Sequence, residues 1–252
     1  MIKTWKLTIP ELTGSEERKA YLYLPDSYDW DQEKRYPVLY MFDGHNVFFD
    51  SDATYGKSWG MKEYLDRTGI QMIVAAVECN HSPDHGRVKE YSPFSFQDPQ
   101  LGKITGLGKK TMDWMVLSFK KEIDQHYRTL PEREHTWIAG SSMGGLMSLY
   151  ALIKYNPVFS RAAALSPSLW AGADKIEDMI IRTRIGPDTV LYMDYGQEEI
   201  GNHQGMLKDF GRVASKLIEK GVLLDCRIVP GGTHCEASWE RQIPFFMNTL
   251  LY

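Results

Sequence analysis

The chain has 252 residues, of which 43% are hydrophobic and 25% charged, and this composition excludes a disordered or fibrous protein. Its 29 Lys and Arg residues stand against 33 Asp and Glu, giving a formal net charge of −4 without the basic excess expected of a nucleic-acid-binding protein. The longest apolar runs, such as Met72–Val77, are too short to span a bilayer, and residues 1–10 show no signal-peptide pattern. We therefore expect a protein that binds neither nucleic acid nor a membrane.

Strand-like and helix-like segments alternate along the chain. Short apolar runs bounded by turn residues predict strands at Trp5–Ile9, Ala20–Leu24, Val38–Phe42, Met72–Val77, Thr136–Ala139, Ala162–Leu165, Val190–Met193 and Leu224–Val229. Helix-length segments follow at residues 58–68, 106–127, 142–155, 174–183, 200–219 and 235–250. From residue 36 onward the alternation predicts a mostly parallel sheet with helices on both faces, in a single domain over residues 1–252. The first two strands have no helix between them, which predicts an antiparallel edge.

The segment of residues 80–105 has no predicted element and is rich in Pro, Gly and Ser. Loops of this length are usually functional or mobile, although a solvent-exposed surface loop without a functional role is the alternative interpretation. Its Tyr91, Phe94 and Phe96, together with Trp170 further along, suggest an aromatic-lined cleft that could stack a sugar or a phenolic ring.

The three cysteines, Cys79, Cys226 and Cys235, are odd in number and lack the paired spacing typical of metal sites. We interpret them as reduced thiols and expect a cytoplasmic location and no metal site.

The sharpest signal for chemistry is Gly140, Ser142 and Gly144, which match the pattern G-x-S-x-G. In this pattern a serine lies on a tight turn between a strand and a helix, and the glycines avoid collisions in the bend. A short apolar strand precedes the motif here and a buried helix follows it, as the pattern requires. The alternative is a glycine-rich turn that merely permits close packing.

A serine hydroxyl needs a base to take its proton, and His234 has the most suitable position among the seven histidines. It lies in the loop between the last predicted strand and the last predicted helix, from which it can reach over the carboxyl edge of the sheet. His203, at the start of an earlier helix, is the second choice.

The third member of a triad is expected to be a carboxylate in the loop after the penultimate strand. Asp194, Glu198 and Glu199 are the candidates, and we choose Glu199 because it lies three residues beyond Gly196, where the chain has cleared the sheet edge. It would orient the imidazole and stabilise its charged form. The alternative for each acid is an exposed carboxylate at a helix N-terminus.

The oxyanion of an ester-cleaving reaction also needs two backbone N–H donors. One is expected to be the amide of Met143, directly after the nucleophile. For the other we choose the amide of His45, because Gly44 frees the backbone to turn after the first central strand.

Several further segments share the pattern of a known family: Tyr21–Pro25, Tyr36–Tyr40, Asp43–Asn46, Arg87–Tyr91, Tyr127–Thr129, Ser166–Trp170 and Gly232–His234. With the serine motif, they make the chain resemble, over nearly its whole length, the esterase D-like branch of the α/β-hydrolases. That branch includes enterochelin esterases, feruloyl and acetyl-xylan esterases, S-formylglutathione hydrolases and mycolyltransferases. The resemblance implies an α/β-hydrolase fold with an eight-stranded sheet, a triad of Ser142, Glu199 and His234, and oxyanion donors at Met143 and His45. It also implies that Trp170 lines the acyl pocket, a core aromatic being the alternative.

The sequence therefore predicts a serine carboxylic-ester hydrolase that acts through an acyl-enzyme and needs no cofactor. Its expected partner is a small-molecule ester, such as an acylated sugar or a phenolic ester. An acyltransferase in which an alcohol replaces water, and a catalytically silent binding protein with the same fold, are the alternative functions.

Overall fold

The computed structural model describes residues 1–252. The strands are β1 (Ile2–Thr8), β2 (Glu17–Tyr23), β3 (Val38–Met41), β4 (Ile73–Val77), β5 (Phe96–Asp98), β6 (Gly102–Ile104), β7 (Thr136–Ser141), β8 (Arg161–Leu165), β9 (Val190–Gly196) and β10 (Leu223–Val229). The helices are α1 (Pro10–Thr13), α2 (Ser27–Trp30), α3 (Met61–Thr68), α4 (Gly86–Glu90), α5 (Gly108–Trp114), α6 (Lys120–His126), α7 (Met143–Lys154), α8 (Ala173–Arg182), α9 (Met206–Glu219), α10 (Glu236–Glu240) and α11 (Ile243–Leu250). A π-helical turn over Met115–Phe119 joins α5 to α6. None of these helices combines the length and the apolar character needed to cross a membrane.

Eight of the strands form one sheet in the order β1-β2-β4-β3-β7-β8-β9-β10. The strands from β4 to β10 along this order are parallel to one another, and β1 and β2 are antiparallel at one edge. The predicted mostly parallel, eight-stranded α/β sheet and its antiparallel edge are thus confirmed. After β3 the chain adds β4 on one side and β7 on the other, and such a switch opens a crevice at the carboxyl ends of the strands.

The sheet separates two hydrophobic cores. Successive residues of β3 alternate between them, because neighbouring side chains of a strand point to opposite faces: Val38 and Tyr40 belong to the larger cluster, and Leu39 and Met41 to the smaller. Helices α7, α8 and α9 cover the larger cluster, and α3 and α11 cover the smaller one. Helices therefore lie on both faces of the sheet, as the sequence predicts.

Several sequence predictions differ from the structure. A four-residue helix, α1, lies between β1 and β2, where no helix is predicted, and the predicted helix over residues 200–219 begins only at Met206. No element is predicted for residues 80–105, but they contain α4 and an antiparallel hairpin of β5 and β6. These elements have three to five residues each, which is too short for periodicity to reveal. The predicted helix over residues 235–250 is in fact two helices, α10 and α11. Pro244 lies in the first turn of α11, where its missing N–H is tolerated but where it cannot continue a preceding helix.

Candidate active site

Ser142 occupies the turn between β7 and α7 with φ 59° and ψ −121°, a backbone conformation that L-residues rarely adopt. The glycines around it permit very close packing. A Cβ on Gly140 would lie 2.8 Å from the carbonyl of Gly144, and one on Gly145 would lie 2.7 Å from the carbonyl oxygen of Leu165. The sharp turn and the missing side chains together present the Ser142 hydroxyl at the carboxyl edge of the sheet, as expected for G-x-S-x-G.

Two cavities meet at Ser142 and His234, which line both of them. The larger has a volume of about 490 Å³ and is lined by polar side chains that include His45, Asn80 and Arg87. The smaller, of about 250 Å³, lies beside Trp170. Ser142 and His234 thus lie where two cavities adjoin, which offers separate spaces for two parts of a ligand.

Glu199 and His234 are in direct contact. Oε2 of Glu199 lies 2.6 Å from Nδ1 of His234, and the carboxylate is 1% exposed while the imidazole is 41% exposed. Two glycines bring their loops together: a Cβ on Gly196 would lie only 2.3 Å from the carbonyl oxygen of Gly232. This contact leaves Nε2 as the ring nitrogen of His234 that is available to a substrate or to a serine.

The carboxylate of Glu199 is held in its charged form. Burial alone would raise its pKa, but hydrogen bonds donated by His234 and Ser166 outweigh burial and lower the pKa below its ordinary value. Asp194 differs, because burial raises its pKa to about 7 and it bonds to the hydroxyl of Tyr192 rather than to a histidine. Glu198 is exposed to solvent. Of the three acids considered from the sequence, Glu199 alone contacts His234.

Ser166 supports Glu199 from the side opposite His234, and sequence reasoning did not assign it a role. Its hydroxyl donates to Oε1 of Glu199 at 2.7 Å and accepts from the indole Nε1 of Trp239 at 3.0 Å. The backbone N–H of Gly196 donates to the same Oε1 at 2.9 Å. The sequence held one indication of this role: Ser166 precedes Pro167 in a segment shared with the esterase D-like pattern.

The hydroxyl of Ser142 contacts another serine. Its Oγ lies 3.4 Å from Oγ of Ser168 and makes no hydrogen bond with His234 in this structure. His203, the rival base, is exposed and stacks on Trp170 with ring centroids 5.0 Å apart. Both His203 and Trp170 line the smaller cavity, which Ser142 also lines.

The two expected oxyanion donors lie at the starts of helical turns. Met143 begins α7, and His45 belongs to a short 3-10 turn over Gly44–Asn46. N–H groups in a first turn have no acceptor within their own helix, so both are free for a ligand. The two turns are also close together, because a Cβ on Gly144 would lie 3.3 Å from Oδ2 of Asp43.

Arg87 fixes the loop that carries the His45 amide. It donates two hydrogen bonds to the buried Asp43 carboxylate, at 2.6 and 2.7 Å, and a long one of 3.5 Å to the carbonyl oxygen of Ser141. Asp43 itself adopts a left-handed conformation with φ 56°. The ion pair therefore joins the turn after β3 to the turn that carries Ser142, a role that only the fold reveals.

The expectation of an aromatic-lined cleft is largely wrong. Tyr91 is buried beneath the cavity, where its hydroxyl accepts a hydrogen bond from the backbone N–H of Asp43. Phe94 packs on Tyr150, and Phe96 packs edge-on against Trp170. Of the four aromatic residues, only Trp170 lines one of the two cavities at Ser142.

The fold and the site define an α/β-hydrolase, and comparison with known proteins agrees. Residues 13–244 match the model of the protein family described as "Putative esterase". The chain belongs to this family and is a carboxylic-ester hydrolase.

Individual relatives are more distant. The protein YbbA of Bacillus subtilis (strain 168), described as uncharacterized, is 26% identical over 244 residues, which cover 92% of this chain and 91% of YbbA. An IroE-like serine hydrolase from Shewanella oneidensis has a similar structure, with a TM-score of 0.77, 19% identity and coverage of 99% of this chain and 79% of that one. The ferulic acid esterase of Anaeromyces mucronatus gives a TM-score of 0.67 at 21% identity, over 99% of this chain and 90% of that one. The structural likenesses bear on the fold alone.

Proposed function

We propose that the chain hydrolyses a small-molecule carboxylic ester through a triad of Ser142, His234 and Glu199. Oγ of Ser142 attacks the ester carbonyl carbon while Nε2 of His234 takes the hydroxyl proton. The same nitrogen then returns the proton to the departing alcohol, which leaves the acyl group on Ser142. A water molecule, deprotonated by His234, releases the acid and restores the serine.

The observation that carries this proposal is the buried Glu199 carboxylate 2.6 Å from Nδ1 of a histidine that shares two cavities with a strained serine. The carboxylate keeps Nδ1 protonated, so Nε2 is free to act as the base. The Ser142 hydroxyl must turn from Ser168 toward His234 when the substrate binds. Such a rotation is fast, and catalytic hydrogen bonds are often incomplete without substrate.

The amides of Met143 and His45 would stabilise the oxyanion, since their N–H groups have no acceptor within their own helices. Arg87 acts as a positioning residue, because its ion pair with Asp43 holds the His45 turn against the turn of Ser142.

The substrate we propose has a polar part for the larger cavity and a flat or apolar acyl group for the smaller one. Trp170, stacked on His203, offers a ring face to such a group. Similarity to the Anaeromyces mucronatus ferulic acid esterase is in keeping with a phenolic acyl group. The cytoplasmic location and the single domain over residues 1–252 stay predictions.

The test compares hydrolysis of p-nitrophenyl acetate by the wild type and by Ser142→Ala, with Ser141→Ala as the matched neighbouring serine. We expect Ser142→Ala to lose at least about 10³-fold in kcat, because no nucleophile remains, and Ser141→Ala to retain activity. Equal rates for the wild type and Ser142→Ala would refute the assignment. A panel of aryl and acetyl esters with Trp170→Ala then reports whether Trp170 sets the acyl preference.

A further inference from the structure

Two histidines and a cysteine form a cluster in the wall of the larger cavity. His45, Cys79 and His81 each contribute one ligand atom, and the three atoms lie within 4.8 Å of one another. His45 follows β3, whereas Cys79 and His81 follow β4, so the spacing in the sequence gives no hint of the cluster. β3 and β4 are adjacent parallel strands, and their carboxyl ends bring the three residues to one place.

Only one of the two ring nitrogens of His45 has a hydrogen-bond partner. The residue is 5% exposed, and Nε2 lies 3.1 Å from the hydroxyl of Thr54. Its Nδ1 is buried without a hydrogen-bond partner, an unfavourable arrangement for a polar group. Histidines that bind metals usually hold a hydrogen bond through one ring nitrogen and offer the other to the metal. His45 has this arrangement, with Nδ1 as the free nitrogen.

We propose that His45, Cys79 and His81 bind a thiophilic divalent transition-metal ion, for which Zn²⁺ is the reference case, and that the bound ion inhibits ester hydrolysis. Imidazole and thiolate ligands suit Zn²⁺ rather than Mg²⁺ or Ca²⁺, which prefer oxygen. Three protein ligands leave one tetrahedral position open to water or substrate in the larger cavity. As the Sγ–metal bond forms, the Cys79 thiol releases its proton to solvent.

The cluster needs only a small movement to bind the ion. Zinc–sulfur and zinc–nitrogen bonds of about 2.3 and 2.0 Å place the ligand atoms about 3.5 Å apart. The most widely separated pair, within 4.8 Å, must therefore approach by no more than about 1.3 Å. His81 is exposed, and its ring lies edge-on to that of His45 at a centroid distance of 4.8 Å, so the His81 side chain has room to rotate toward the other two ligands.

An ion at this position would act on catalysis in two ways. It would place a positive charge and a bound water in the larger cavity, where the proposed mechanism requires part of the substrate. It would also hold the imidazole of His45, whose own amide is a proposed oxyanion donor. The inhibition therefore rests on the proposed function, whereas metal binding does not.

Co²⁺ is the probe for binding, because a thiolate ligand to Co²⁺ produces an intense near-ultraviolet charge-transfer band. We expect this band in the wild type at one equivalent of Co²⁺, its loss on addition of Zn²⁺, and its absence in Cys79→Ser. Cys226→Ser removes an exposed thiol on β10 and is the matched control, which should keep the band. His81→Ala changes an exposed side chain and should weaken Zn²⁺ binding by at least about tenfold in calorimetric titration.

A wild type without the band, a band that survives in Cys79→Ser, or an unchanged Zn²⁺ affinity in His81→Ala would overturn the site. For inhibition, Zn²⁺ should slow ester hydrolysis by the wild type and Cys226→Ser but not by Cys79→Ser. Equal inhibition of Cys79→Ser would refute the link to catalysis. A protein with a Cys79-dependent band but no esterase activity would refute the proposed function and leave the metal site standing.

Discussion

Replacing Glu199 by glutamine removes a negative charge beside His234 while keeping the size of the side chain. The carboxylate is 1% exposed, and Oε2 lies 2.6 Å from Nδ1 of the histidine. The glutamine oxygen can still accept the hydrogen bonds from Ser166 and Gly196, so we expect the fold to persist. In the proposed mechanism the imidazole becomes a cation in the transition state, and a neutral amide cannot offset that charge.

The size of the effect follows from burial. Removing one partner of a buried ion pair costs about 3–5 kcal/mol, and each 1.36 kcal/mol of barrier is a factor of ten in rate, so the full effect is about 10²–10⁴-fold. The His234 side chain is 41% exposed, and solvent therefore screens part of its charge. We expect a loss in kcat in the lower part of this range, about 10²–10³-fold, with little change in KM.

The assay is steady-state hydrolysis of p-nitrophenyl acetate by Glu199→Gln, Glu198→Gln and Asp194→Asn. Glu198 is the adjacent, exposed acid and Asp194 the buried one without a histidine partner, so both variants should stay within about tenfold of the wild type. A large loss in either control, with Glu199→Gln retaining more than about a tenth of the wild-type kcat, would show that the acid is misassigned.

Three further predictions concern the scaffold of the site. Arg87→Met leaves the buried Asp43 carboxylate unpaired and should destabilise the fold by about 3 kcal/mol in urea unfolding, the lower end of the range because the Arg87 side chain is 31% exposed. Lys6→Met, in the exposed pair with Glu17, is the control, and equal unfolding midpoints for the two variants would contradict the role of Arg87. Burial raises the pKa of Asp194 from 3.8 to about 7, so the fold favours the protonated carboxyl group. The resulting contribution to folding stability is complete below the unfolded pKa and is lost as the pH rises through about 7. Asp194→Asn should therefore gain stability relative to the wild type between pH 4 and pH 8, by up to about 4 kcal/mol, and a difference that does not vary with pH would refute this. Gly44→Ala should lower kcat by about tenfold or more, because its Cβ would lie 2.8 Å from the backbone of Val77 and displace the His45 turn. Gly211→Ala, on α9 with no atom within 4 Å, should keep kcat and gain about 0.5–1 kcal/mol in stability, so similar losses in both variants would argue against a local cause.

Much of the fold follows from patterns within single segments. The central strands are buried on both faces and therefore appear as continuous apolar runs, such as Ile73–Val77, which the sequence marks clearly. The hairpin of β5 and β6 has three residues in each strand and no such pattern. Its stability comes from tertiary packing, including the contact of Phe96 with Trp170, which no local window contains.

The site residues likewise divide into those that a local sequence pattern reveals and those that only the fold brings together. Ser142 belongs to a local motif, and the loop positions of Glu199 and His234 follow from strand order. Whether Glu199 or a neighbouring acid reaches the histidine depends on the close approach of two loops at Gly196 and Gly232, which sequence spacing does not encode.

The supporting contacts depend entirely on which strands are neighbours. Arg87 and Asp43 are 44 residues apart, and Ser166 and Trp239 are 73 apart. The cluster of His45, Cys79 and His81 likewise exists only because β3 and β4 are adjacent. Tyr91 shows how a local pattern can also mislead. As an aromatic residue in a predicted loop it suggested a ligand contact, but the structure buries it under the Asp43 turn.

The most direct test of the central claim is covalent labelling of the wild-type protein with a fluorophosphonate, followed by mass spectrometry of the labelled peptide. The probe reacts with a serine only when a base activates it. We predict stoichiometric labelling at Ser142 that is lost in His234→Ala and unaffected in His203→Ala. Labelling at another serine, no labelling of the wild type, or full labelling of His234→Ala would contradict the proposed triad.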